Sequence, residues 1–146
     1  MIDGVMQKPL KQIEDARGKV MHVMKSTDPH FEQFGEVYCS WIYPHAIKAW
    51  SKHSMMKMNY VVPVGSIKLV LFDDRKDSNT RDKVAEYILG SDAYSLLIIP
   101  PGLWYGFKAI GSESALIVNC ATIPHDPSEI MRLDVFDPII PYSWGE

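Results

Sequence analysis

Short apolar segments separated by frequent prolines and glycines make up most of this 146-residue sequence. Ten prolines and nine glycines are spread along the chain, and both residue types disfavour long helices. The intervening segments have strand length and are rich in β-branched and aromatic residues. They cover residues 18–25, 35–43, 46–50, 59–64, 66–73, 83–89, 93–99, 104–110 and 114–122. This spacing predicts an antiparallel sandwich or barrel, of which a jelly roll is one form.

Apolar alternation supports the strand prediction in the centre of the chain. In residues 66–73, Ile67, Leu69 and Leu71 would share one face of a strand. Helical periodicity is weak, and the one predicted helix covers residues 127–133 with Asp126 as its N-cap. The predicted fold class is therefore all-β with a short C-terminal helical segment.

Composition and charge exclude several classes of protein. A content of 47% hydrophobic and 23% charged residues fits one domain over residues 1–146. The net charge of −3 lacks the basic face that a nucleic-acid partner would require. No apolar run is long enough to span a membrane, and residues 1–11 lack the apolar region of a signal peptide. We therefore expect a cytoplasmic protein without nucleic-acid or membrane partners.

The two cysteines, Cys39 and Cys120, are too few for a disulfide framework or a structural zinc site. Both lie in apolar runs. We expect two buried thiols.

The segment at residues 48–65 resembles the first metal-binding motif of the cupins. The four motif positions fall on Ser51, His53, Met58 and Gly65. The resemblance implies the cupin-type double-stranded β-helix, a form of jelly roll.

A second cupin motif, Pro-x-Gly followed by a histidine, resembles residues 100–105, where the histidine position holds Tyr105. A catalytic metal needs about three nitrogen, oxygen or sulfur ligands from the protein. Of the motif positions, only His53 is a good ligand. The residue types therefore predict no metal and disfavour a metal-dependent oxygenase or isomerase.

Four further motifs in order identify a narrower resemblance. They are Asp-Ala-Arg-Gly at residues 15–18, Phe-Asp-Asp-Arg-Lys-Asp-Ser-Asn-Thr at 72–80, Ile-Ile-Pro-Pro-Gly-Leu-Trp-Tyr-Gly-Phe at 98–107, and Phe-Asp-Pro-Ile-Ile-Pro-Tyr-Ser-Trp at 136–144. In this order they resemble the dTDP-4-dehydrorhamnose 3,5-epimerase family. The resemblance implies a nucleotide-sugar ligand, a homodimer and no cofactor.

The resemblance also implies proton chemistry beside a ketone. The family acts on a nucleotide-diphospho-4-keto-6-deoxy sugar, from which a base removes a proton at C5 and at C3. An acid returns the proton on the opposite face. Such chemistry requires a base with a pKa near the working pH, an opposing acid, and donors to the developing enolate.

When the family's functional positions are carried over residue by residue, most of them hold a different residue type in this sequence, but each still holds a polar side chain. The position of the base histidine holds Ser51, the position of an arginine holds Lys48, and a second histidine position holds Tyr105. The carboxylate that orients the base falls on Asp137, which also fits a turn cap before Pro138. The remaining substrate-binding positions are those of a diphosphate-binding arginine and two tyrosines; they hold Arg17, Asn119 and His125.

Three interpretations of these replacements stay open. Because alternate residues of a strand share a face, His53 could project beside Ser51 and act as the base, with Asp137 nearby and Tyr105 donating a proton. In the second interpretation catalysis is lost, and the pocket only binds a sugar nucleotide or carbohydrate. A related keto-sugar isomerase with His53 as base is a further alternative.

Overall fold

Two antiparallel five-stranded sheets face each other in the computed structural model, which describes residues 1–145. The strands are β1 (Met6–Pro9), β2 (Gln12–Asp15), β3 (Gly18–Met21), β4 (Glu36–Ile42), β5 (Ile47–His53), β6 (Met58–Val64), β7 (Ser66–Asp73), β8 (Val84–Gly90), β9 (Ser95–Ile99), β10 (Leu103–Ala109), β11 (Ala115–Ala121) and β12 (Ile130–Arg132). The first sheet has the order β1-β9-β6-β11-β4 and the second β12-β5-β10-β7-β8, while β2 and β3 form a separate hairpin. This sandwich confirms the all-β prediction.

The predicted strands overlap observed strands, and β7 coincides with its prediction at residues 66–73. The largest difference is at β3, which ends at Met21 rather than at Lys25. Three short strands, β1, β2 and β12, were not predicted. Residues of β2 and β12 are mostly exposed, so they lack the apolar alternation by which a half-buried strand is identified.

The alternation in β7 divides its side chains between two apolar clusters. Ile67, Leu69 and Leu71 are buried in the core between the sheets. Val70 and Phe72 pack on the outer face of the second sheet, beneath side chains of the C-terminal segment. Burial of each such side chain stabilises the fold by about 1.5–3 kcal/mol. The second sheet is therefore covered on both faces, as the pattern in the sequence requires.

The predicted helix at residues 127–133 is wrong beyond its first turn. A single 3-10 turn, Pro127–Glu129, begins at Asp126, whose carboxylate accepts a hydrogen bond from the Ser128 amide as an N-cap does. Ile130 then adopts extended backbone and pairs with His53, so that β12 continues the second sheet. Sheet pairing replaces a helix here because it satisfies the backbone of an otherwise isolated segment.

The structure also bears on membrane-spanning helices and on the two cysteines. Within residues 1–145, no helix has the length and apolar character needed to cross a membrane. The prediction of two buried thiols is wrong for Cys39, which is exposed on the outer face of β4, and Cys120 is only half-buried.

A buried carboxylate closes the loop between β7 and β8. Asp73 is fully buried and accepts hydrogen bonds from the amide and guanidinium of Arg75 and from the hydroxyls of Ser78 and Thr80. The Arg75 guanidinium also donates to the Asp3 carbonyl, which ties the N-terminus to this loop. Burial alone would raise the pKa of Asp73, but these hydrogen bonds outweigh it and hold the pKa far below its ordinary value.

We expect Asp73→Asn to lower the free energy of unfolding by about 3 kcal/mol, because it leaves Arg75 beside a neutral, partly unsatisfied amide. The lowered pKa of Asp73 means that its contribution is complete above the unfolded pKa, near 3.8, and is lost as the pH falls through the folded pKa. The difference between wild type and variant should therefore shrink at pH 3 relative to pH 7. Urea unfolding at both pH values measures this difference. Asp77→Asn is the matched control, since Asp77 is exposed in the same loop; equal stability of the two variants would contradict the prediction.

Candidate active site

A cavity of about 590 Å³ lies between the two sheets. The wall formed by the first sheet carries Glu36, Tyr38, Ser40 and Tyr60. The wall formed by the second sheet carries Lys48, Ala49, Trp50, Ser51, His53, Tyr105 and Phe107. A third side, formed by β12 and the residues on either side of it, carries His125, Ile130, Arg132 and Leu133. The cavity thus combines apolar surface with several convergent polar groups, as ligand sites do.

A buried histidine–carboxylate pair lies at this cavity. His53 ends β5 and is 4% exposed, and its Nδ1 lies 2.5 Å from Oε2 of Glu129, which is 3% exposed. Glu129 reaches His53 because Ile130, the next residue, pairs with His53 in the sheet. The partner of His53 is therefore Glu129.

The Glu129 carboxylate is held on its second oxygen as well. The backbone amides of Met55 and Met56 donate to Oε1 at 3.0 and 2.8 Å. Burial alone would raise the pKa of Glu129, but the hydrogen bonds from His53 and from these amides outweigh it and lower the pKa. Glu129 is accordingly an anion that only accepts hydrogen bonds.

An accepting carboxylate on Nδ1 determines the tautomer of His53. Nδ1 carries the proton that is donated to Glu129, and Nε2 then presents its lone pair. Nε2 lies 3.1 Å from the Tyr105 hydroxyl, and the two rings are nearly parallel, with centroids 5.7 Å apart. Nε2 is thus a hydrogen-bond acceptor directed at the cavity, where a general base would be needed.

Tyr105 is placed by the glycine-containing turn that precedes β10. Gly102 has a φ of +93°, which favours glycine, and its amide donates to the His53 carbonyl at 2.7 Å. Tyr105 then pairs with Ser51 across β10 and β5. Burial raises the pKa of Tyr105 to about 12, so the phenol stays protonated at neutral pH.

A row of polar side chains crosses the wall formed by the first sheet. Asn119 pairs with Tyr60 on one side and with Tyr38 on the other, and all three point inward. The Asn119 amide donates to the Tyr38 hydroxyl at 2.9 Å, and its carbonyl accepts from the Asn59 amide at 3.0 Å. Asn119 is therefore a buried support behind Tyr38 and does not line the cavity.

Three positively charged or protonatable side chains line the remaining part of the cavity: Lys48, His125 and Arg132. The Lys48 ammonium donates to the Ser40 hydroxyl at 3.1 Å and to the Trp41 carbonyl at 2.6 Å, which joins β5 to β4. The side chains of His125 and Arg132 are exposed. Such groups suit an anionic ligand, such as a diphosphate.

Most residues predicted for the site come together, and three do not. His53, Tyr105, Ser51, Lys48 and His125 all line the cavity, and Ser51 shares the inward face of β5 with His53 as alternation predicts.

The carboxylate assignment differs from the prediction. Asp137 is not among the residues that line the cavity, and its carboxylate caps a turn by accepting from the Ile139 amide at 3.0 Å. Glu129 holds His53 instead. Asp137 lies in the segment that follows β12 and packs on the outer face of the second sheet, whereas the site faces inward.

Arg17 is also separate from the cavity within this chain. It lies in the β2–β3 turn with its side chain 90% exposed and forms an ion pair with Asp15 at 2.8 Å. Such an exposed pair contributes little to stability.

Sequence reasoning missed Glu129, Tyr38 and Arg132. Glu129 stands three residues after the N-cap Asp126, where a glutamate normally bonds back to its own helix. Tyr38 alternates with the exposed Val37 and Cys39. The pattern of β4 therefore shows that Tyr38 faces inward, but it does not indicate a chemical role for the side chain. Arg132 became a cavity residue only through the unpredicted strand β12.

The donor set does not fit the divalent metal that the cupin motifs would hold. Of the motif positions, Met58 is buried in the apolar core, and Ser51 and Tyr105 offer hydroxyls that bind such ions poorly. Among residues 1–145, no three His, Cys, Asp or Glu side chains converge as metal ligands.

Comparison with known proteins places this geometry in a family. The family model of dTDP-4-dehydrorhamnose 3,5-epimerase matches residues 1–146. The chain is 32% identical to the spore coat polysaccharide biosynthesis protein SpsL of Bacillus subtilis (strain 168), over 99% of this chain and 97% of that protein. It is 34% identical to the "Probable low-salt glycan biosynthesis epimerase Agl13" of Haloferax volcanii, over 86% of this chain and 81% of that protein.

Solved structures agree with this result. The dTDP sugar isomerase from Desulfovibrio desulfuricans G20 superposes with a TM-score of 0.96 at 44% identity, over 98% of this chain and 92% of that chain. The epimerase RmlC from Legionella pneumophila Philadelphia 1, in complex with dTDP-4-keto-L-rhamnose, shares the fold, with a TM-score of 0.84 at 21% identity over 99% of this chain and 80% of that chain. The cupin jelly roll predicted from the motifs is thereby confirmed. The chain belongs to the dTDP-4-dehydrorhamnose 3,5-epimerase family.

Proposed function

We propose that this protein epimerises a nucleotide-diphospho-4-keto-6-deoxy sugar, without a cofactor, by moving a proton at carbons beside the C4 ketone. The observation that carries the proposal is the buried Glu129–His53 pair, in which the Nε2 lone pair of His53 is directed at the cavity. Family membership supports the substrate class. The epimerase name of one relative and the polysaccharide-biosynthesis name of another agree with it.

His53 is the base in this proposal. Its Nε2 takes the proton at C5 or C3, and the electron pair of the broken C–H bond moves to the C4 oxygen to give an enolate. The Glu129 anion stabilises the imidazolium that forms and keeps Nδ1 protonated, so that Nε2 is the reacting atom. Ser51, in the position of the family's base, has a hydroxyl that is too weak a base for this step.

The other polar groups of the cavity suit the rest of the substrate. The Tyr105 hydroxyl can leave Nε2 of His53 and donate to the C4 oxygen as charge develops there, since its raised pKa keeps it a donor. Lys48, His125 and Arg132 offer positive charge and donors for the diphosphate.

Solvent exchange tests the proposed reaction. We expect the protein to incorporate deuterium at C3 or C5 of a dTDP-4-keto-6-deoxy sugar in deuterated water, as followed by NMR. His53→Asn should lower the rate at least about 100-fold, because no other group at Nε2 can take the proton.

His45→Asn is the matched control for this variant. His45 is exposed outside the cavity and has a φ of +67°, which asparagine tolerates, so its exchange rate should stay that of wild type. Retained exchange in His53→Asn would remove His53 from the role of base. Binding of the sugar nucleotide without any deuterium uptake by wild type would instead favour the sugar-nucleotide-binding alternative.

Glu129→Gln tests the carboxylate that orients the base. The variant keeps the shape but removes the charge that stabilises imidazolium, so we expect kcat to fall by about 100-fold or more with little change in KM. Steady-state kinetics measures both constants, and Glu113→Gln, at an exposed position, is the control. Unchanged kcat in Glu129→Gln would contradict the assignment.

We also propose that the protein is a cytoplasmic homodimer. Ile13 and Val20 face each other in the β2–β3 hairpin and are 49% and 60% exposed, an apolar pair that a second copy would cover. The exposed free Cys39 suits a reducing compartment.

Light scattering of the purified protein should give twice the chain mass of 16.6 kDa. Val20→Asp should shift the protein towards monomer, because a carboxylate would be buried without a partner. Ile88→Asp, at an exposed position of the edge strand β8, should leave the mass unchanged. A monomeric wild type would refute the dimer.

A further inference from the structure

We infer that Tyr38 is the acid that returns a proton to the sugar carbon on the face opposite His53. This inference rests on the proposed epimerisation and deepens it. It assigns to Tyr38 a role that the sequence motifs suggested for Tyr105.

Tyr105 lies on the same side of the cavity as the base. It belongs to β10, which is paired with β5, the strand that carries His53. Its hydroxyl is 3.1 Å from Nε2 and its ring is tilted by only 9° from the imidazole. Inversion at carbon requires removal of a proton from one face and its return to the other. A group beside the base reaches the face from which the proton left, so Tyr105 does not meet this requirement.

Tyr38 is on the other wall. It belongs to β4 of the first sheet and faces inward between Glu36 and Ser40, across the cavity from the second sheet. A sugar ring held between the sheets would therefore present one face to His53 and the other to Tyr38.

The other ionisable groups on this wall are less suited to the role. Tyr60 is 3% exposed, and its ring stands edge-on to Tyr105 and Phe107. Burial raises the pKa of Tyr60 well above its ordinary value, which makes it a poorer proton donor. Glu36 accepts a hydrogen bond from the His125 amide at 2.8 Å, so its carboxylate acts as an acceptor. Tyr38 is half-buried, so its hydroxyl can exchange with solvent.

The hydrogen bond behind Tyr38 leaves its proton available. The Asn119 amide donates to the phenol oxygen, and the opposite end of that amide is fixed by the Asn59 backbone N–H. Within residues 1–145, the Tyr38 hydroxyl accepts this bond and donates to no protein group. Its O–H is thus free to point at a ligand. Burial raises the pKa of Tyr38 more than the hydrogen bond from Asn119 lowers it. The phenol therefore stays protonated at neutral pH.

The proton transfers balance as follows. His53 Nε2 removes the proton from carbon, and the C–H electron pair becomes the enolate. The enolate re-forms the C4 carbonyl as the carbon takes the Tyr38 proton on its opposite face. Tyr38 is left as a phenolate and His53 as an imidazolium. Solvent water reprotonates Tyr38, and His53 gives its proton to solvent, so the site is restored without an oxidant or a reductant.

Tyr38→Phe separates removal of the proton from its return. In deuterated water, wild type should form the epimer with deuterium at the inverted carbon. Tyr38→Phe should form the epimer at least 100-fold more slowly while its deuterium uptake with retained configuration stays within about fivefold of the wild-type exchange rate, because His53 remains intact. NMR of the sugar distinguishes the two products.

Two further variants make the test specific. Tyr105→Phe should slow exchange and epimerisation by the same factor, since Tyr105 acts on the enolate that both share. Tyr43→Phe, an exposed tyrosine beyond the end of β4, should behave as wild type. Circular dichroism and a thermal melt confirm that each variant is folded.

The outcomes separate the two proposals. If wild type takes up no deuterium, the proposed function is wrong and the Tyr38 role falls with it. If wild type epimerises and Tyr38→Phe epimerises equally fast, only the Tyr38 role is overturned. Equal loss of exchange and epimerisation in Tyr38→Phe, with binding of the sugar nucleotide retained, would also overturn it.

Discussion

The contact between His53 and Glu129 is the interaction on which the rest of the site depends. Both side chains are buried, and a buried carboxylate is unfavourable unless all its lone pairs find donors. Here His53 satisfies one oxygen, and the amides of Met55 and Met56 satisfy the other. The contact requires Ile130 to pair with His53, so the turn before β12 and the edge of the second sheet must form together. The tautomer of His53 follows from this arrangement.

The sandwich then divides the chemistry between two walls. His53 and Tyr105 come from paired strands of one sheet, and Tyr38 with its support Asn119 comes from the other. A sandwich suits inversion at carbon because the inward side chains of its two sheets can approach a ligand from opposite sides. The apolar core continues behind the polar groups, which limits water and strengthens their interactions with a developing charge.

Family resemblance pointed to residues that line the cavity, but the paired histidine and carboxylate stand at other positions than the resemblance implied. Ser51 stands where the family has its base, and His53, two residues further on the same face of β5, holds the partnered imidazole. Asp137 stands where the family has its orienting carboxylate, yet it caps a turn, and Glu129 from another segment supplies the charge. Period-two alternation made the first displacement predictable. The second displacement was not predictable. Glu129 lies eight residues before Asp137, and nothing in the sequence around it indicates that His53 is its partner.

The amino-acid sequence by itself determined the all-β class, most strand positions and the inward face of β5. These follow from local properties, namely proline and glycine spacing and the alternation of apolar residues. Only the tertiary structure decided that Glu129 holds His53, that Tyr38 lies on the opposite wall of the cavity, and that residues 130–132 form a strand rather than a helix. Each of these depends on pairing between segments far apart in the chain, such as β12 with β5 and β11 with β4. Hydrogen-bond satisfaction across a completed sheet selects those pairings, and no single segment contains that information.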